Sequence, residues 1–114
     1  MEPSYNRLAD WGDRTNRGSK TIRTSGNYSQ TGQAVFTQDW YLHSYVVNTM
    51  DGGSWDGEFS IEVSNDNVNY VSIYKESITA ATGLAYSDTW TFAYARPVIT
   101  GTQGNFLITE RHLG

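Results

Sequence analysis

The sequence predicts an all-β fold, an antiparallel β-sandwich or jelly roll of about seven or eight strands. Its 4 Trp, 8 Tyr and 4 Phe, together with many β-branched residues, suit half-buried pleated surfaces, whereas the usual helix formers are scarce. Several segments alternate apolar and polar side chains between turn-forming residues. A chain of 114 residues without cysteine is long enough for one domain that buries its core without disulfides.

Residues 1–33 contain five basic and three acidic side chains and few apolar ones, whereas residues 34–114 contain three basic and nine acidic side chains. A segment so poor in apolar groups cannot offset its ordering entropy by burial. We therefore predict an extended N-terminal arm at residues 1–33 and a β-sandwich at residues 34–114. A flexible terminus is the alternative, but we favour an arm that orders against a partner. Its aromatic anchors and basic contacts are Tyr5, Arg7, Trp11, Arg14, Arg17, Lys20 and Arg23.

The clearest predicted element is a β-hairpin at residues 58–74. Glu58–Ser64 alternates apolar and polar side chains, which is the period of a strand with one buried face. Asn65 and Asp66 favour a turn, because their side chains hydrogen-bond the local backbone and tolerate a left-handed conformation. The chain then returns as a second strand over Tyr70–Tyr74.

The remaining strands are predicted from the same alternation. They are Ala34–Gln38, Trp40–Thr49, Thr89–Arg96, Val98–Thr100 and Asn105–His112. Residues 50–57 and 101–104 are glycine-containing loops, and residues 78–87 are irregular. Pro97 has no backbone N–H to donate to a ladder, so it marks a sheet edge or a kink.

The sequence contains no pattern for catalysis or cofactor binding, so we expect a non-enzymatic protein without cofactors. His43 lies inside a strand and His112 near the end of the chain, and neither has a partner at a meaningful spacing. Phosphate-binding glycine loops and the motifs of metalloproteases and serine hydrolases are missing. Asp51 and Asp56 form a weak calcium candidate, although aspartate beside glycine is above all a turn signal.

Charge and hydropathy argue against nucleic-acid and membrane partners. The acidic body repels phosphate, and the basic segment of the arm is short. No apolar stretch approaches the roughly 18 residues that cross a bilayer, and the charged start does not resemble a signal peptide. Because cysteines are missing, we expect assembly in a reducing host cytoplasm.

The aromatic side chains outnumber those that one small core can hold. Tyr and Trp combine a flat apolar face with a polar group, which suits a protein interface and equally a carbohydrate platform. The other interpretation is that most of them line the rim of the sandwich. The candidate interface or glycan-binding aromatics are Trp40, Tyr41, Trp55 and Tyr86.

The hairpin sequence EFSIEVSNDNVNYVSIY at residues 58–74 resembles the strand–turn–strand of discoidin-like (coagulation factor 5/8 type C) jelly rolls and of small bacteriophage structural proteins. In such proteins a later aromatic strand followed by an arginine, and then a glycine-containing turn into a final strand, completes the sandwich. Residues 92–96 (FAYAR) and 104–108 (GNFLI) occupy those places. The chain departs from discoidin domains in its lack of cysteines, its shorter length and its start, which does not resemble an export signal, and we expect these departures in a phage virion protein.

This resemblance implies a structural protein of a phage particle, with a capsid decoration (cement) protein as the favoured type. Its partners would be the major capsid protein or another virion protein, and further copies of itself in a symmetric oligomer, commonly a trimer. Two alternatives stay open. One is a head–tail or tail component, and the other is a carbohydrate-binding module of a tail or adhesin.

Overall fold

The computed structural model describes residues 20–50, 56–79 and 83–114, which form strands and connecting turns. Within these ranges no helix is long and apolar enough to pass through a lipid bilayer. The described strands in chain order are β1 (Lys20–Asn27), β2 (Gln30–Thr31), β3 (Val35–Phe36), β4 (Leu42–Thr49), β5 (Asp56–Ser64), β6 (Val71–Thr79), β7 (Leu84–Thr89), β8 (Tyr94–Gln103) and β9 (Asn105–Leu113).

The strands form two sheets that pack face to face. The first sheet has the order β1-β9-β4-β7, and the second has the order β2-β8-β5-β6, with β3 also paired to β8. Every one of these pairings is antiparallel. The predicted all-β sandwich is therefore confirmed.

Alternating side chains from both sheets fill the space between them. Phe106 and Ile108 of β9, Tyr45 of β4, and Phe59 and Ile61 of β5 belong to one buried cluster. Their positions follow the two-residue period of a strand, because residues of one parity face inward and those of the other face outward. Burying each of the larger apolar side chains contributes about 1.5–3 kcal/mol.

The predicted hairpin is the β5–β6 pair, and its turn is built around Asp66. The Asp66 carboxylate accepts hydrogen bonds from the backbone N–H groups of Asn69 and Val68, at 2.8 and 2.9 Å. The Ser64 hydroxyl and the Asn69 side-chain amide also donate to it. These donors, the Asn69 backbone N–H foremost, hold the pKa of the Asp66 carboxyl well below its usual value. Asn67 adopts the left-handed conformation of the turn, with a φ of 61°.

Strand boundaries in the second half of the chain differ from those predicted. Instead of one strand over Thr89–Arg96, β7 ends at Thr89 and β8 begins at Tyr94. Residues 90–93 between them are outside both strands, and Trp90 is buried in the core there. Residues 78–87, which were expected to be irregular, contain the end of β6 and most of β7.

Pro97 lies inside β8, an interior strand, rather than at a sheet edge. Its missing N–H is tolerated because the facing partner is interrupted there: β2 pairs with residues 98–99 and β3 with residues 94–95. In the gap, the Pro97 carbonyl accepts a hydrogen bond from the backbone N–H of Gly32 at 2.8 Å. A Cβ on residue 32 would lie 2.7 Å from Pro97 Cγ, so glycine permits this close approach.

The structure places part of the predicted arm in the sandwich. Lys20–Asn27 forms β1, which pairs with β9 along its whole length, and Gln30–Thr31 forms β2. Backbone hydrogen bonds to β9 order this segment, and such pairing does not depend on a high content of apolar side chains. The boundary expected at residue 33 therefore does not separate arm from sandwich for residues 20–33. Residues 1–19 lie outside the described part of the chain.

We expect Phe59→Ala to lower the free energy of unfolding by about 3–5 kcal/mol, because it leaves a cavity between the sheets. Urea unfolding near neutral pH measures this loss. The control is Val68→Ala in the hairpin turn, where the side chain is 77% exposed. That change should alter the free energy by less than about 0.5 kcal/mol. Equal losses in the two variants would contradict the position of Phe59 in the core.

Candidate functional site

A buried polar cluster lies between the sheets on the β4–β9 pair. It contains His43 of β4 and Glu110 and His112 of β9, which are 1%, 1% and 0% exposed. The antiparallel register sets His43 directly opposite His112, and the two-residue period of β9 turns Glu110 to the same side. Side chains of this polarity are seldom so deeply buried unless they bind one another.

Hydrogen bonds join the cluster into a single chain. Glu110 Oε1 lies 2.9 Å from His112 Nε2, and His112 Nδ1 lies 2.8 Å from His43 Nδ1. His43 Nε2 makes a longer contact of 3.4 Å with the backbone carbonyl oxygen of Trp90. The Trp90 indole also stacks on the His43 ring, with centroids 3.8 Å apart. The His43 ring is thus held both at its edges and on one face.

The backbone carbonyl of Trp90, at one end of this series of hydrogen bonds, indicates which ring nitrogens of the two histidines carry protons. Because a carbonyl oxygen only accepts, His43 donates to Trp90 from Nε2, and neutral His43 then accepts at Nδ1. His112 must therefore donate from its Nδ1. Its Nε2 either donates to an ionised Glu110 or accepts from a protonated Glu110.

Burial shifts the pKa of His43, which belongs to the cluster, and of Tyr45, which lies beside it. Burial, and after it the charge of His112, lowers the pKa of His43 from its usual 6.5 to about 4. Tyr45 pairs in register with Glu110, and burial followed by the Glu110 charge raises the pKa of Tyr45 well above its usual value. Within the described residues, the Tyr45 hydroxyl and Glu110 Oε2 have no hydrogen-bond partner.

Sequence pattern alone does not reveal this cluster, because His43 and His112 lie 69 residues apart in the chain. Sequence spacing shows no partner for either histidine, and in the structure each is the partner of the other. The one sequence feature that could have indicated the cluster is that both histidines occupy inward-facing positions of strands with alternating side chains. Because the cluster is closed off from solvent, it suits the fixing of strand register better than the binding of a ligand. Across the described ranges, no group of histidine and acidic side chains could hold a metal ion.

The opposite side of the same sheet is exposed and carries two arginines. Arg23 of β1 and Arg111 of β9 both occupy outward-facing, exposed positions. Beside Arg111 lies a depression of about 340 Å³, lined by Leu42, Leu113, hydroxyl side chains of β4 and β7, and the exposed residue Asp88 at its border. This surface therefore combines apolar side chains with the positive charge of the two arginines.

The predicted interface aromatics divide between half-buried and exposed positions. Trp40 is half-buried, with the Lys20 ammonium 6.0 Å from its ring centroid. Tyr86 is also half-buried and stacks on Tyr74, with centroids 3.9 Å apart. Tyr41 is 58% exposed. Of these three candidates, Tyr41 alone presents a largely open ring.

Three further predicted residues fall within the described ranges. Lys20 and Arg23 lie on β1, where both are exposed, and Asp56 is the first residue of β5. The structure thus places the two basic residues in the sandwich rather than in an arm. The remaining candidates lie outside the described residues: Tyr5, Arg7, Trp11, Arg14, Arg17, Asp51 and Trp55.

Comparison with known proteins shows similarity at the level of fold. No protein-family model matches the sequence, and a search of curated proteins finds no match. The SPBc2 prophage-derived protein YomS has a TM-score of 0.59 at 10% identity, covering 83% of this chain and 96% of its own. The PBSX exported protein XepA has a TM-score of 0.57 at 15% identity, covering 89% of this chain and 39% of its own. The K1 cleaved adhesin domain of Lys-gingipain from Porphyromonas gingivalis W83 has a TM-score of 0.53 at 12% identity, covering 84% and 89%.

We expect the free energy of unfolding to fall as the pH is lowered from 6.5 to about 4. In this window the unfolded chain takes up a proton on His43 that the folded chain does not, because the folded-state pKa is depressed. The stabilisation is fully present above this window and is lost through it. One proton corresponds to a slope of at most about 1.4 kcal/mol per pH unit. Urea unfolding at a series of pH values measures the slope.

The control for this prediction is His43→Gln, which keeps a hydrogen-bonding side chain but cannot titrate. Across the same pH window, its slope should be shallower by about one proton. Identical slopes in the two proteins would show that His43 does not titrate in the way its burial requires.

We expect Glu110→Ala to lower the free energy of unfolding by about 3–5 kcal/mol, because it leaves His112 buried without its partner. The matched control is Glu62→Ala. Glu62 pairs with Arg96 at 2.8 Å on the outer side of the second sheet, where both side chains are partly exposed. Such a surface pair contributes about 1 kcal/mol or less. If thermal or urea unfolding showed the two losses to be equal, the buried pair would not have the predicted importance.

Proposed function

We propose that this chain is a structural subunit of a bacteriophage particle, specifically a capsid decoration (cement) protein that binds neighbouring subunits. The observation that carries the proposal is a short segment with aromatic side chains and three arginines, balanced by three acidic side chains, joined to the edge of a sandwich. Residues 1–19 contain Tyr5, Trp11 and three arginines, and they precede β1, an edge strand of the first sheet.

The fold and the buried cluster support a binding role. The similarity to the fold of YomS, a prophage-derived protein, is compatible with a phage origin. His43 and His112, the two histidines of the chain, are enclosed in the core. The outward-facing side chains and the strand edges are therefore the parts available for contacts. The proposed location is the virion, assembled in the host cytoplasm, with neither cofactor, nucleic acid nor membrane involved.

Decoration works through many weak contacts made at once. A few anchors, such as Trp11 and Tyr5, each contribute a modest free energy of binding. On a particle, subunits already held at one contact meet the next at a high effective concentration, so occupancy exceeds that of any isolated contact. The major capsid protein and further copies of this chain are the proposed partners. A head–tail or tail component would use the same chemistry at another position on the particle.

The carbohydrate-binding alternative depends on open aromatic rings. Within the described residues, Tyr41 is the exposed candidate, whereas Trp40 and Tyr86 are half-buried. The remaining candidate, Trp55, lies outside the described ranges. A single open tyrosine is a small platform for a sugar, so the described surface favours a protein partner.

We expect deletion of residues 2–19 to reduce binding to particles produced without the protein by about tenfold or more, since anchor residues contribute about 2 kcal/mol or more. The shortened chain retains β1 and thus the complete first sheet. Co-sedimentation with particles followed by quantitative mass spectrometry measures the occupancy.

Trp11→Ala serves as a milder test of the same segment, with Ser4→Ala as its matched control. Unchanged occupancy after both the deletion and Trp11→Ala would remove the arm from the proposed function. Specific binding on a glycan array that is abolished by Trp55→Ala would favour the carbohydrate-binding alternative instead.

A further inference from the structure

The outer face of the first sheet is basic, although the chain as a whole has a net charge of −4. We call this surface, formed by the outward-pointing residues of β1, β9, β4 and β7, the outer face. Its charged side chains among the described residues are Arg23 and Arg111. Asp88 and Glu110 belong to the same strands but occupy the inward-facing positions opposite His43 and Tyr45, although Asp88, on the edge strand β7, is exposed and borders the depression beside Arg111. No described aspartate or glutamate therefore points outward from this sheet.

Both arginines are available to a partner. Within the described residues neither forms an ion pair, whereas Arg96 of the second sheet is held by Glu62 at 2.8 Å. Apolar side chains accompany them, since Leu42 and Val46 lie on the outer face and are 47% and 40% exposed. Exposed apolar groups beside unpaired guanidinium groups are typical of a surface that binds protein.

The remaining described residues are predominantly acidic. Outside the outer face they carry eight acidic and three basic side chains, and of the eight acids Glu110 alone is buried. Opposite charges attract across an interface and orient the partners. Among identical subunits on one particle, a second copy is always within reach of the first. We propose that the outer face binds the acidic surface of a second copy of this chain.

The charges require this contact to be head-to-tail rather than face-to-face. A two-fold dimer through the outer face would bring the arginines of both copies together, and no described carboxylate points outward from this sheet to lie between them. The outer face of one copy must therefore meet a different surface of the next. Contacts of this heterologous kind close into rings or continue as filaments. A cyclic trimer is one closed form.

The contact is weak on its own because the outer face is small. Four strands spaced by about 4.8 Å, with about eight residues at 3.4 Å each, give an area of about 500 Å². A standard stable interface buries about 800 Å² on each partner. Association in solution thus requires high concentration, whereas a particle supplies it through effective concentration. In this respect the inference rests on the proposed function, although its test needs no particle.

Sedimentation velocity of the full chain tests the inference, at concentrations from about 10 μM to about 1 mM. We expect association at low salt that disappears near about 0.5 M salt, where exposed charges are screened. Arg111→Thr should weaken the association about fivefold or more, because it removes an attractive charge. Arg23→Thr is a second variant with the same expectation.

The matched control is Lys75→Thr on β6. It removes the same charge from an exposed strand position, but from the second sheet. Because this change makes the receiving surface more negative, association should stay the same or become tighter. Circular dichroism spectra of all variants establish that the strands are intact.

The sign of the effects decides the outcome. A monomer at every concentration, or an association indifferent to salt, would overturn the inference. So would equal weakening by Arg111→Thr and Lys75→Thr, since only net charge would then matter. Tighter association of Arg111→Thr would indicate a face-to-face dimer and would also overturn it. A chain that stays monomeric yet occupies particles refutes this inference alone, whereas one that associates as expected but never binds particles refutes only the proposed function.

Discussion

The pairing of β4 with β9 is the interaction on which the rest of the structure depends. Its eight residue pairs lie at the centre of the first sheet. On the inner side they set His43 against His112 and Tyr45 against Glu110. On the outer side the same register sets Ser44 against Arg111. A shift of either strand by one residue would exchange the two sides of that strand, so the core and the outer face depend on a single register.

Hydrogen bonds within the buried cluster also help to specify the register of β4 and β9. A hydrophobic core alone tolerates alternative packings of similar volume, whereas a chain of directional hydrogen bonds has one satisfied arrangement. Replacing a buried ion pair with apolar residues is often neutral or stabilising, so the benefit here lies in specificity rather than in net stability. We infer that the cluster selects the native alignment of β4 and β9.

The fold class and the β5–β6 hairpin were predictable because their signals are local. Alternation over Glu58–Ser64 and the Asn-Asp turn specify the hairpin within a few residues of chain. The pairing of β1 with β9 joins residue 20 to residue 112, and no local pattern encodes that partner. For the same reason the sequence showed that His43 and His112 face inward on their strands, but it did not show that they contact each other. The predicted strand began too early, at Thr89, because the sequence does not distinguish a buried aromatic residue in a loop, such as Trp90, from one in a strand.

Alternation also separates the two roles of the first sheet. An outward-pointing side chain such as Arg23 has no part in the core, so its replacement leaves the inner packing unchanged. Acidic side chains are confined to the inner side of these strands, as Asp88 and Glu110 show, or to other elements. A sheet arranged in this way can change its partner without changing its fold. For the proposed assembly, the constraint therefore lies in the charges of the outer face, whereas folding depends on the inward-pointing residues of the same strands.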